Sequence, residues 1–144
     1  MYQVGCLWKQ KTYCDRFAFY FENDTTLIQK MIAISEDSPY KQSKQALKNF
    51  LFRCKSENNQ EFFPALFLAV KKNKNSSIND IIGFLNLNIL LDEVEIDFIC
   101  IEESHRQKGI GKLLFAYFEN FITAEKQKIK SLFLEVSCHN KSAL

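Results

Sequence analysis

Phe98 to Leu114 reads FICIEESHRQKGIGKLL. An apolar strand runs into a polar turn, then Arg106-Gln107-Lys108-Gly109-Ile110-Gly111, then an amphipathic helix. That order builds an anion cradle from backbone. Gly109 and Gly111 lack a Cβ, so the chain bends tightly there and a ligand can come close. A helix starting near Gly111 aims unpaired N–H groups and its positive dipole end at the same spot. Arg106, Lys108 and Lys112 add positive charge. A pyrophosphate suits such a turn, which therefore predicts a phosphate-bearing cofactor.

Three phosphate loops compete for this stretch. A Walker A loop requires G-x-x-x-x-G-K-[ST]. Here Arg106 stands five residues before Gly111 and Leu113 follows Lys112, so that loop is excluded. A dinucleotide fingerprint requires G-x-G-x-x-G after the first strand of a βαβ unit. Its third glycine position is Leu114, and the motif falls late in the chain, which excludes it too. The remaining pattern, Gln/Arg-x-x-Gly-x-Gly/Ala, fits Arg106 to Gly111. Taken alone, this hexapeptide reads equally as a helix-entry turn with no ligand. Its surroundings separate the two readings. An Ile-rich strand precedes it and a helix of about four turns follows. A second strand, Leu132-Phe133-Leu134-Glu135-Val136, then leads into Ser137-Cys138-His139-Asn140. The loop, the helix and the string L-E-V-x-x-x-N resemble the GNAT superfamily of N-acetyltransferases, and within it the ribosomal-protein-alanine N-acetyltransferases. The resemblance runs from about Ala65 to Leu144; the residues before it match only in their order of elements.

Working outward, Phe17 to Phe21 reads as a short first strand. Asp24-Thr25-Thr26 supplies a helix start before Leu27, Ile28, Met31 and Ile32, which fall at helical spacing. Pro39 and its polar neighbours end that helix. A second helix is expected from Lys41 to Phe52. Apolar runs at Ala65 to Val70, Ile81 to Leu90 and Val94 to Ile101 read as three strands of an antiparallel meander. Lys112 to Glu125 is the next helix, and Leu132 to Val136 a last strand reached by a parallel crossover. The expected fold is therefore α/β (α+β): a mixed, mostly antiparallel sheet with flanking helices, in one domain over residues 1–144. This is also the order of the GNAT core. The resemblance implies two parallel strands that splay apart, with the pantetheine arm of acetyl-CoA between them. Ile99, Cys100 and Ile101 would line that arm, and the amides from Gln107 through Lys108, Gly109, Ile110 and Gly111 to Lys112 would hold the pyrophosphate, with Arg106 opening the motif.

Composition narrows the class. The 144 residues suffice for a sizeable core, and fourteen Phe against two Pro predict an aromatic one. Net charge is +2, which carries no nucleic-acid or anionic-membrane footprint. Cys6, Cys14, Cys54, Cys100 and Cys138 are odd in number and form no C-x-x-C pair, so they read as reduced thiols, not a disulfide frame or metal site. No signal peptide and no apolar run of about 18 residues is found, so a cytoplasmic location is expected.

Acetyl transfer to an amine requires a neutral nucleophile and a protonated leaving thiolate. A lysine amine has a reference pKa of about 10.4 and an α-amine one of about 7.7–8.0, so a general base matters most for lysine. Glu135 is the candidate base: it sits between Leu134 and Val136 and matches the catalytic glutamate that the resemblance implies. It reads equally as a strand glutamate reaching solvent. Glu95 and Asp97 are rivals on one face of the strand before the loop, with a plain solvated face as the blander account. Asn140 matches a family asparagine near the cofactor arm, and reads equally as a turn residue. His105 and His139 are assigned to loops, and Cys100 and Cys138 to packing. No metal is expected.

In the resembling family N-x-x-A-x-x-x-Y leads onto a further helix, whose tyrosine protonates the thiolate. Counting from Asn140, that tyrosine falls beyond Leu144. The expectation is thus a C-terminally incomplete domain with an uncovered last strand that favours a homodimer. Tyr117 reads as core, not as a replacement acid. Met1 to Arg16, with Tyr2, Trp8 and Tyr13, is a candidate cover for the open strand edge. The expected activity is acetyl transfer from acetyl-CoA to a primary amine, of a protein N-terminus or a small molecule. An inactive CoA-binding module or remnant is the alternative.

Overall fold

The computed structural model describes residues 1–14, 17–36, 42–56, 63–89 and 93–124, and the backbone of 131–134. Among these residues there are six strands: β1 (Tyr2–Trp8), β2 (Lys11–Tyr13), β3 (Phe63–Lys71), β4 (Ile81–Ile89), β5 (Glu93–Ile101) and β6 (Ser131–Leu134). Four helices accompany them: α1 (Ala18–Phe21), α2 (Asp24–Ser35), α3 (Lys44–Lys55) and α4 (Ile110–Ala124). The strands form one sheet in the order β2-β1-β3-β4-β5-β6. All neighbours are antiparallel except β5 and β6, which are parallel, as a crossover through α4 requires. The mixed sheet with flanking helices expected from the sequence is thus observed.

The layers follow from strand alternation. In β3, Leu66, Leu68 and Val70 face α1, α2 and α3, while Ala65, Phe67 and Ala69 face α4. All nine residues of β4 are buried, because helices cover both sides of the strand. Helix α4 presents Ile110, Leu114, Phe118, Phe121 and Ile122 to the sheet, a stripe at helical spacing. Phe67 is the centre of that layer, edge-on to Tyr117, Phe118 and Phe121. Helix α2 is capped by Asn23, whose side chain accepts from the Thr26 amide, and α3 by Ser43, which accepts from Ala46.

The N-terminal region departs from expectation. Residues Phe17 to Phe21 are not the first strand: Ala18–Phe21 is a single helical turn, and Phe17, Tyr20 and Phe21 are buried at helical spacing. The first strand is Tyr2–Trp8. Gly5 lets it pack beneath Phe17, since a Cβ there would lie 2.5 Å from the Phe17 ring. Nor does this region cover the last strand, because β1 and β2 lie at the opposite end of the sheet from β6. Burial of Val4, Cys6, Leu7 and Trp8 against β3 and the helices holds them there. Helix α3 runs three residues later than expected at each end, its start set by the Ser43 cap.

Candidate active site

Strand β5 carries the site, and its register explains how. Asn86 of β4 pairs with Phe98, but Leu87 pairs with Ile96, so Asp97 is an extra residue in the ladder. This is a β-bulge, which re-aims side chains. Val94 and Ile96 face α4, whereas beyond the bulge Phe98 and Cys100 join the α2–α3 side, leaving Ile99 and Ile101 toward α4. The Glu102 amide donates to Ile82 O, so even-numbered residues beyond the bulge turn their backbone toward β4. Ile99 and Ile101 therefore turn theirs toward the edge where β6 lies. The pairing with β6 runs from Glu93↔Ser131 to Ile96↔Leu134 and is not described further along. The Arg106 guanidinium donates from Nε to Ile101 O at 2.9 Å, fastening the following loop to the strand end.

The loop itself is built by two left-handed residues, Gln107 (φ 62°) and Gly109 (φ 80°). Gly109 O accepts from the Leu113 amide at 3.0 Å, which starts α4 and leaves the amides of its first turn free of intrahelical partners. A Cβ built on Gly109 or Gly111 meets no atom within 4 Å. The cradle is open where a pyrophosphate would approach, and Lys108 and Lys112 are exposed beside it. The turn Glu103–His105 precedes it. Burial raises the Glu102 pKa, but the bond from Ser104 and the charges of Lys30 (3.6 Å) and His105 (3.4 Å) outweigh it, and the net shift is downward. A cavity of ≈ 330 Å³ lies here between the end of α2 and this turn, lined by Ala33, Ile34, Glu36, Glu102, Glu103 and Ser104.

On the α2–α3 side the end of β4 turns polar. Asn86 is 1% exposed and Asn88 9%. Asn88 Nδ2 donates to Asp97 Oδ2 at 2.9 Å, and Asn86 Nδ2 donates to Gln42 Oε1 at 3.3 Å. Among the described residues, the Oδ1 of each asparagine has no donor. Asp97 is an exposed residue overall, yet partial burial of its carboxyl raises its pKa, as do the charge of Glu95 and a hydrogen bond with it. Asn88 and Arg53 pull it back down, by less.

Arg106 to Lys112 and Ile99 to Ile101 thus meet at one end of β5. Cys100 is buried, with Sγ 3.5 Å from Ile34 O. His105 is bound to Glu102 and Ser104. Tyr117 packs on Phe67, and burial pushes its pKa up to about 12. Glu135, Asn140, Cys138 and His139 lie outside the described residues. Sequence reasoning missed Asn86, Asn88 and Gln42. The signal was available: two asparagines two apart in IIGFLNLNIL mark one face of a strand that is otherwise wholly apolar.

No group of metal-ligating side chains occurs among the described residues, and no described helix is long and apolar enough to cross a membrane. No curated protein matches the chain. Solved structures do. The ribosomal-protein-S18-alanine N-acetyltransferase of Escherichia coli superposes with a TM-score of 0.64 at 16% identity, over 99% of this chain and 72% of that one. An aminoglycoside acetyltransferase from an uncultured soil metagenomic sample, solved with sisomicin, gives 0.59 at 20% identity, over 99% and 82%. AAC(6')-Iy, solved with the bisubstrate analog CoA-S-monomethyl-acetylneamine, gives 0.61 at 15% identity, over 99% and 84%. These likenesses concern the fold. The family model for the acetyltransferase (GNAT) family matches residues 26–144, which takes in the bulged strand, the glycine loop and α4 together, and the chain belongs to that family.

Proposed function

We propose that this protein transfers the acetyl group of acetyl-CoA to a primary amine. The observation that carries the reading is the open cradle of Gly109 to Lys112, set at the end of a strand whose Ile99 and Ile101 backbone faces the β6 edge. Bound there, acetyl-CoA supplies the activated thioester. The amides from Gln107 to Lys112 hold its pyrophosphate, Lys108 and Lys112 neutralise charge, and Ile99 and Ile101 line the arm, with Cys100 between them turned toward β4 and the α2–α3 core. Asn140 adds a polar contact near the arm, by resemblance. The acceptor amine must lose a proton to attack, and Glu135 takes that role by resemblance. Where the acceptor is concerned, the L-E-V-x-x-x-N string favours a protein N-terminal α-amine.

A specific observation favours a second base. Asp97 is placed by the bulge, paired with Glu95 and raised in proton affinity, which suits proton abstraction nearer neutrality. Calorimetric titration with acetyl-CoA, CoA and ATP tests the first step: binding by both CoA forms but not ATP is expected, and no binding to folded protein overturns it. Acetyl-CoA consumption is then measured with an alanine-initiated peptide, an N-blocked lysine peptide and sisomicin. Turnover of the first alone supports an α-amine acceptor. Turnover of the latter two alone overturns it.

A further inference from the structure

We propose that Asn88 is a positioning residue for amine deprotonation, holding the Asp97 carboxyl in place and setting its affinity for the proton. The proposal rests on the reading of Asp97 as base. Asn88 lies directly opposite Glu95 in the β4–β5 register, and reaches along the strand to the extra residue that the bulge creates. Its Nδ2 is committed to Asp97 Oδ2 at 2.9 Å. A donor at that oxygen favours the ionised carboxyl and fixes its plane. Glu95 on its own strand hydrogen-bonds to Asp97, and the Arg53 charge on α3 acts on it electrostatically, so one carboxyl, one guanidinium and one carboxamide set its charge among the described residues.

Asn88 is an expensive choice for this position if it serves only the fold. It stands on a strand buried on both sides, and its Oδ1 has no donor among the described residues, as is also true of Asn86. A buried acceptor without a donor costs about 1–3 kcal/mol. A leucine would fill the position without that penalty, as Leu85 and Leu87 do on the other face. Both carbonyl oxygens are enclosed away from solvent, so neither recovers its lost hydrogen bond from water. The sequence chooses a side chain that grips Asp97 with one end and leaves an acceptor at the other.

The test uses the full chain. The midpoints of Asp97 and Glu95 are followed by carbon-detected NMR in the parent, Asn88→Leu and Asn88→Gln. In parallel, kcat/KM is measured against pH with acetyl-CoA and whichever of the three acceptors turns over. Asn88→Leu is expected to move the Asp97 midpoint upward by about one pH unit. Below that midpoint kcat/KM falls about tenfold, and above it the two proteins converge. Asn88→Gln keeps a donor and shifts less. An unmoved Asp97 midpoint in folded Asn88→Leu overturns the role of Asn88 while leaving Asp97 as base. Unchanged kcat/KM in Asp97→Asn overturns the reading of Asp97 as base, and the role of Asn88 with it. The NMR arm decides the matter for Asn88 even where no acceptor turns over, and Asn88→Ala replaces the leucine variant if that protein unfolds.

Discussion

The two faces of the sheet are built to different rules. Toward α4, every buried residue from β1 to β5 is apolar, from Val4, Cys6 and Trp8 through Phe67 and Leu85 to Ile96. Aromatic edges close the layer, with Trp8 and Tyr13 each meeting Phe121 at about a right angle. Toward α2 and α3 the same rule holds over β3 and the start of β4, where Leu66, Leu68, Ile81 and Phe84 lie. It fails at the end of β4 and the bulge of β5, where Asn86, Asn88, Glu95 and Asp97 stand. One face spends its residues on cohesion. The other gives up cohesion at one corner to hold buried Asn86 and Asn88 behind exposed Glu95 and Asp97.

The comparison predicts unequal responses to substitution. Phe67→Ala, at the centre of the apolar face, is expected to lower stability by about 3–5 kcal/mol, read by denaturant unfolding. A loss below about 1 kcal/mol would mean that α4 repacks and that the face is not a single aromatic unit. Gly111→Ala separates folding from binding. Its Cβ meets nothing and replaces a helical glycine, so stability should rise by about 0.5–1 kcal/mol. Affinity for CoA, by calorimetry, should stay within about threefold, because the Gln/Arg-x-x-Gly-x-Gly/Ala pattern admits alanine here. Gly111→Phe, which fills the cradle, should lower it at least about tenfold, or ~1.4 kcal/mol. Equal affinity in Gly111→Phe would show that the ligand keeps clear of this position. Asn23→Ala removes a cap that the site does not use, and should cost about 1 kcal/mol with CoA affinity unchanged.

The smallest expected effect is at the polar corner. The folded pKa of Asp97 lies above its unfolded value of about 3.9, so the native state holds this proton more tightly. Its contribution therefore favours folding at low pH and is lost as pH rises through the interval above the unfolded value. Asp97→Asn removes that loss. At neutral pH the variant should be at least as stable as the parent, by a small margin because the carboxyl is partly solvated. Unfolding midpoints measured from acid to neutral pH check the sign. A variant less stable than its parent at neutral pH would mean that the carboxylate supports the fold, and that the two faces differ less than their compositions suggest.

Much of this was legible in the chain. The glycine loop was, because Gly109 and Gly111 with flanking cations specify a backbone conformation and a charge that depend on few neighbours. The stripe of α4 and the three meander strands were legible because periodicity is local. The first strand was misplaced because FAFYF alternates too weakly to tell an aromatic strand from one helical turn, and only the packing of Phe17 on Gly5 decides it. The sequence by itself determined the order of elements from α2 onward and the residues of the glycine loop, since both follow from neighbours a few positions apart. Only the tertiary structure decided that β1 and β2 close the sheet far from β6, that a bulge makes Asp97 an extra residue, and that Asn88 grips its carboxyl. Register is a relation between two strands, and no single strand carries enough information to set it.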